Sequence, residues 1–150
     1  MVQELKKEEK NDIFGFEYRG KPLAISGLFC KYNEPWVYGN LIIKDGMAFI
    51  GTYKAKSGRE LQGLRTVRVD PKTVGVSWGE QDEGKQKLFT DDVVQIKPEI
   101  EEFGVIIWDK HTARFMVEGD GVVYDFDYLR GNDLIKLGNI HDNPEYDIRR

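Results

Sequence analysis

From Ile13 onward, short β-branched and aromatic runs are broken by Gly, Asn, Asp or Pro about every eight to twelve residues. That is the punctuation of an all-β chain. The clearest element is "WVYGNLIIKDGMAFIGTY", in which Val37 to Ile43 and Met47 to Tyr53 flank an Asp45-Gly46 pair. Glycine takes positive φ without steric cost, so the pair predicts a tight hairpin turn. A polar stretch with Ser57, Gly58 and Gly63 follows and reads as a loop. "RTVRVDP" then predicts a strand that Pro71 ends, since proline has no amide hydrogen for a ladder.

Beyond Gly75 the pattern predicts a second unit. "DVVQIKP", "FGVIIWD", "ARFMVEG", "GVVYDFDYL" and "DLIKLGNI" are five strands on brief connections, which suits a small bent sheet closed into a barrel. Alternation places Val94 with Ile96, and Phe115 with Val117, toward a common core. "FGVIIWD" is apolar on both sides, which predicts a strand sandwiched between the barrel and the first half of the chain. The expected organisation is a terminal segment over 1–12, too short to hold as a helix without docking, a β lobe over 13–75 and a barrel lobe over 76–150.

Composition narrows the class. Forty per cent of the 150 residues are hydrophobic and 32% are charged, an ordinary soluble balance. No run approaches the roughly 20 apolar residues of a membrane span and the first dozen residues lack a secretion pattern, so a cytoplasmic protein with no membrane partner is expected. Cys30 is the only cysteine, which precludes an intramolecular disulfide or a four-cysteine zinc site. The net charge of −4 argues against general coating of duplex DNA. The charge is unevenly spread, however. Lys54, Lys56, Arg59, Arg65 and Arg68 stand against Glu60 alone, whereas Glu80 to Glu102 is acidic.

Five ordered landmarks carry a family resemblance: "WVYGNLI" from Trp36, "VDPKTVG" from Val69, "DVVQIK" from Asp92, "FGVIIW" from Phe103 and "GNIHDNPE" from Gly138. Together they resemble the YopX-like family of phage and prophage proteins. The chain departs from the family's pattern at Val76 to Gly79, where a polar-Thr-Gly-Leu step is usual, and at Asp91, where a Gly-Asp pair usually precedes the Val-Val strand. The resemblance implies an all-β fold with an SH3-type barrel in the C-terminal half and a bacterial or phage source. It implies no activity, and small barrels host protein and nucleic-acid binding alike.

Several stretches invite a chemical reading. His141, Asp142 and Asp147 crowd "GNIHDNPEYD", but a metal needs three or four ligands converging from fixed elements, and His111 lies in a predicted turn. Asn143-Pro144-Glu145 has the form of a helix start, with Asn139 and Asp142 making turn hydrogen bonds and Ile140 anchoring the tail. Ser26, Ser57 and Ser77 sit in no nucleophile elbow, and "SWGEQDEGKQ" lacks a phosphate-cradle lysine. Asp125 and Asp127, two apart on a strand, share a face in the manner of an acid-base or cation pair, although flanking Tyr124, Phe126 and Tyr128 read more simply as a buried face opposite a wet one. Trp36 and Trp108 read as core, and Trp78 as an exposed ring available for recognition.

Three functions follow from these readings. The leading one is a non-enzymatic accessory protein, without cofactor or bound metal, that binds another protein or its own copies. The alternative is a nucleic-acid-binding module using Lys54, Lys56, Arg59, Arg65, Arg68 and Trp78. The third is a metal-dependent enzyme centred on His141 and Asp142.

Overall fold

The computed structural model describes residues 16–23, 36–56, 60–96, 102–127 and 129–147, with side chains at all of these except 53–56, 60–64 and 132. Ten strands and three short 3₁₀ turns make up the described chain. Contacts divide it into two compact units, Glu17–Val76, and Met1–Phe16 together with Ser77–Arg150. No helix among the described residues is long and apolar enough to cross a membrane.

The first sheet comprises β1 (Glu17–Gly20), β2 (Val37–Lys44), β3 (Met47–Lys56), β4 (Glu60–Val69) and β5 (Gly75–Ser77), in the order β4-β3-β2-β1-β5. β2 and β3 form the predicted hairpin. Asp45 at φ 52° and Gly46 at φ 74° both turn left-handed, the combination that matches the twist of a two-residue connection. Ala48 faces Val69, and Ile50 lies between Leu41 and Val67, so one face of the hairpin builds a core with Val37.

The polar stretch expected as a loop is strand at its described residues, with β3 running on to Lys56 and β4 starting at Glu60. β3 and β4 pair from Ala48–Val69 out to Lys56–Glu60, and Gly63 is the extra residue where the register shifts. Glycine is a common mark of such a bulge, so a residue read as a loop signal serves inside the ladder. Pro71 does end the strand, by starting a 3₁₀ turn (Pro71–Thr73) in which the Asp70 carboxylate accepts the Lys72 N–H at 3.0 Å.

The β1 end curls back onto β4. Leu23 N–H donates to the Arg68 carbonyl at 3.0 Å and Asp70 N–H to the Lys21 carbonyl at 2.9 Å, either side of a Pro22–Val69 bridge. Gly20 permits this approach, because a Cβ there would stand 2.8 Å from the Val69 side chain.

The second sheet comprises β6 (Asp92–Ile96), β7 (Phe103–Asp109), β8 (Arg114–Glu118), β9 (Val123–Asp125) and β10 (Leu134–Asn139), in the order β10-β6-β7-β8-β9. All five predicted strands are present. The closed SH3-type barrel is not: the sheet is open, and among the described residues no ladder joins β9 to β10. One face buries Leu88, Val94, Ile96, Ile106, Val117 and Leu134, with Trp78, Tyr124, Phe126 and Leu129 packed against them. The other buries Val93, Val105 and Ile140, with Ile107 alongside. Full burial of such a side chain contributes about 1.5–3 kcal/mol, so the first face carries most of the stabilisation. β7 is apolar on both sides because it feeds both clusters, and its second cover is Ile140 from the tail.

The tryptophans exchange their expected roles. Trp78 is half-buried, stacked on Phe115 at 4.0 Å and edge-on to Phe126 at 5.0 Å. Trp108, near the end of β7, is 49% exposed and leans on Phe115 at 4.8 Å. Trp36 is buried as expected, with the Arg19 guanidinium 4.6 Å and the Lys21 ammonium 5.3 Å from its ring centre.

Two glycines separate backbone strain from crowding. At Gly46 a Cβ meets nothing within 4 Å, so Gly46→Ala should cost only the left-handed penalty of about 1–2 kcal/mol. At Gly39, φ 157°, a Cβ runs into the Gly51 carbonyl, so Gly39→Ala should cost at least about 3 kcal/mol. Urea unfolding of the two variants checks the order, and equal losses would contradict the strand approach described.

Candidate functional site

The acidic tail motif is an internal latch. Asp91, the turn residue just before β6, has φ 71°; its N–H donates to the Ile106 carbonyl at 2.7 Å and its carbonyl accepts the Ile140 N–H at 3.0 Å. Its carboxylate lies 2.9 Å from His141 Nε2. Asn139 Oδ1 accepts the N–H groups of His141 at 3.0 Å and Asp142 at 2.9 Å, while its amide donates to the Asp142 carboxylate at 2.9 Å. The predicted turn bonds of Asn139 and Asp142 and the anchoring of Ile140 are therefore present. Asn143 precedes a 3₁₀ turn (Pro144–Tyr146) but makes no side-chain cap. Among the described residues no three His, Cys, Asp or Glu side chains group closely enough to hold a metal ion.

The neighbouring carboxylates serve the backbone. Asp92 is fully buried, accepts the Phe89 N–H at 2.7 Å and meets Lys136 Nζ at 3.2 Å. Asp82, also buried, accepts the N–H of Gln86 at 2.8 Å and of Lys136 at 3.0 Å. The latter lies where β10 shifts register against β6, between Lys136 and Gly138. Glu80 accepts the Gly131 N–H at 2.7 Å. "SWGEQDEGKQ" is therefore a turn organised around its own acids.

The Asp125–Asp127 pair dissolves in the same way. Asp127 lies past the end of β9, and its N–H donates to Asp125 at 3.1 Å. The Arg114 guanidinium, 2.6 Å from Asp125, holds that carboxyl below its ordinary range and is itself pushed up. His111 lies in the β7–β8 turn, where its N–H and the Thr112 hydroxyl both donate to Asp109 and lower that carboxyl.

The six residues proposed for nucleic acid do not form one described cluster. Lys54 and Lys56 lie on β3, with side chains outside the described set, as is all of Arg59. Arg65 and Arg68 lie on β4 three residues apart, hence on opposite faces; Arg65 is half-buried and Arg68 exposed. Trp78 belongs to the other unit. Of the serines, Ser77 is buried at 1% exposure, and Ser26 and Ser57 lie outside the described residues, as does Cys30.

A site unmarked by any motif lies at the start of β7. Val93, Gly104 and Val105 floor a recess of about 410 Å³ whose walls are Glu102, Phe103, Asp120, Glu145 and Tyr146. Four elements converge there: β6, the start of β7, the β8–β9 turn and the tail turn. The Phe103 and Tyr146 rings sit 5.9 Å apart and remain 46% and 38% exposed. Glu102 accepts the Tyr124 hydroxyl at 2.9 Å, which raises that phenol above its ordinary value. Glycine at 104 serves the opposite face of β7, since a Cβ there would press on the Val117 side chain in the first core cluster. The recess can hold a cation: ring faces attract positive charge and carboxylates neutralise it.

Residues 29–146 match the family model described as YopX protein, well over half of the chain. The chain belongs to the YopX family. No curated protein and no solved structure matches it. The YopX match includes both the latch and the recess. Within it, Asp91 adopts a left-handed backbone at φ 71°. Aspartate tolerates that region better than most residues, and here its side chain bonds His141 in return.

Asp91→Gly should therefore be tolerated better than Asp91→Ala. Both lose the His141 bond, but only alanine adds the left-handed penalty of about 1–2 kcal/mol. Thermal melting of the two variants checks this, and an alanine variant as stable as the glycine one would contradict it.

Proposed function

We propose that this YopX protein is a non-enzymatic phage or prophage accessory protein, acting in the cytoplasm of the bacterial host, that docks a protein partner or its own copies through the recess at the start of β7. The carrying observation is the pairing of half-exposed Phe103 and Tyr146 with Glu102, Asp120 and Glu145 over an apolar floor. Exposed aromatics beside an apolar pocket are the usual anchors of a protein contact. The groups from which an acid-base centre would be assembled, Asp91, His141 and Asp125, are engaged in holding the fold.

A photo-crosslinking residue at Phe103 or Tyr146 should give discrete protein adducts in host cells carrying the phage genes. The same residue at Ile43, a 64% exposed position on β2, should not. Adducts equal at all three sites, or none at any, would count against the reading.

A specific observation keeps nucleic acid as a second reading. The register puts Ile42, Phe49 and Arg68 in one row, and exposed Tyr38, Lys44 and Arg68 share that face of the first sheet. Aromatic rings among cations are the surface on which single strands stack. Titration with labelled oligonucleotides at low salt should give flat curves if the recess is the working site. Saturable binding that weakens with salt and is lost in Arg68→Glu would instead promote the second reading.

A further inference from the structure

The charge of this protein is partitioned between its two units. Glu17–Val76 carries ten Lys and Arg against five Asp and Glu, a net +5, whereas Met1–Phe16 together with Ser77–Arg150 carries twelve against twenty-one, a net −9. The overall −4 conceals both. On the basic unit, Lys44 and Arg68 are exposed on one sheet face. On the acidic unit, the recess presents Asp120 and Glu145 at exposed positions beside the two rings.

We infer that the occupant of the recess is a cationic side chain from the basic face of a second copy, with Arg68 the leading residue. The inference rests on the protein-docking reading and names its partner. A guanidinium is planar and weakly hydrated, so it can lie against Phe103 or Tyr146 while bonding Asp120, Glu145 or Glu102 at its edge. An ammonium, more strongly hydrated, fits the carboxylates but stacks less well. The two surfaces are different patches, so each copy offers a basic face and an acidic recess to the next, and the contact can close reciprocally as a two-fold pair or continue as a ring or chain. Single exposed ion pairs contribute only about 0–1 kcal/mol, so association should be weak, steered by the opposed unit charges and strongly screened by salt.

Light scattering on the full chain tests this directly. The mean mass should exceed one chain at low ionic strength and rise with concentration. The apparent association constant should fall at least about tenfold when salt reaches a few hundred millimolar, where the screening length is well below about 10 Å. Two double variants follow, Asp120→Lys with Glu145→Lys and Lys44→Glu with Arg68→Glu. All four residues are exposed, and circular dichroism should show both variants folded. Each alone should run as a single chain. Mixed, they should re-form a complex, since the first retains the basic face and the second retains the acidic recess.

A single-chain mass for the unaltered protein at every salt and concentration would overturn the inference. So would association that both variants retain. Titration of that monomer with a short arginine-containing peptide then separates the two levels. Saturable shifts of Phe103 and Tyr146 signals would leave the recess a docking site for a foreign basic partner, and no shifts would remove the docking reading as well.

Discussion

The second unit depends on carboxylates that bind backbone. Asp82 and Asp92 are almost wholly out of solvent, and each accepts amide hydrogens that the strands leave over. A buried amide without a partner costs about 1–3 kcal/mol, and a buried carboxylate without hydrogen bonds is costlier still. Each group therefore removes the other's penalty. Asp82 takes the Lys136 N–H where β10 changes register, and Lys136 returns its ammonium to Asp92 and to the Lys87 carbonyl at 3.1 Å. One lysine thus fixes β10 to both the Glu80–Leu88 turn and the start of β6.

This divides the acids of the unit into two kinds. Asp82, Asp91, Asp92 and Asp125 are consumed by amides, a histidine, a lysine and an arginine. Asp120 and Glu145 stand at exposed positions around a recess with aromatic walls. The latch bears on function indirectly, because Ile140 and the turn at Pro144–Tyr146 follow from it and the latter brings Glu145 and Tyr146 to the recess.

Much of the fold was legible because its signals are local. Asp45-Gly46 specifies a turn whatever surrounds it, and the alternation of Val94 with Ile96 and Phe115 with Val117 sets which face goes inward. The β3–β4 extension was illegible since its charged residues and Gly63 resemble a solvated loop. Only cross-strand partners such as Lys56 and Glu60 make it a ladder. Trp78 was misjudged from its small neighbours, when its environment is set by Phe115 and Phe126, far along the chain. The recess was hidden for the same reason: Glu102, Asp120 and Glu145 come from three elements that no spacing rule connects. The tail motif, conversely, was read correctly as turn chemistry, because Asn139 and Asp142 act on amides next to them.

The central claim is that buried carboxylates hold the second unit by taking its spare amides, and native-state hydrogen exchange tests it at named atoms. The amides of Gln86, Phe89 and Lys136 should exchange only through global opening, with the same free energy as the core ladder amides of Ile106 and Val117. Exchange of those three at rates typical of exposed loops, while Ile106 and Val117 stay protected, would show that the carboxylate bonds do not hold the unit together.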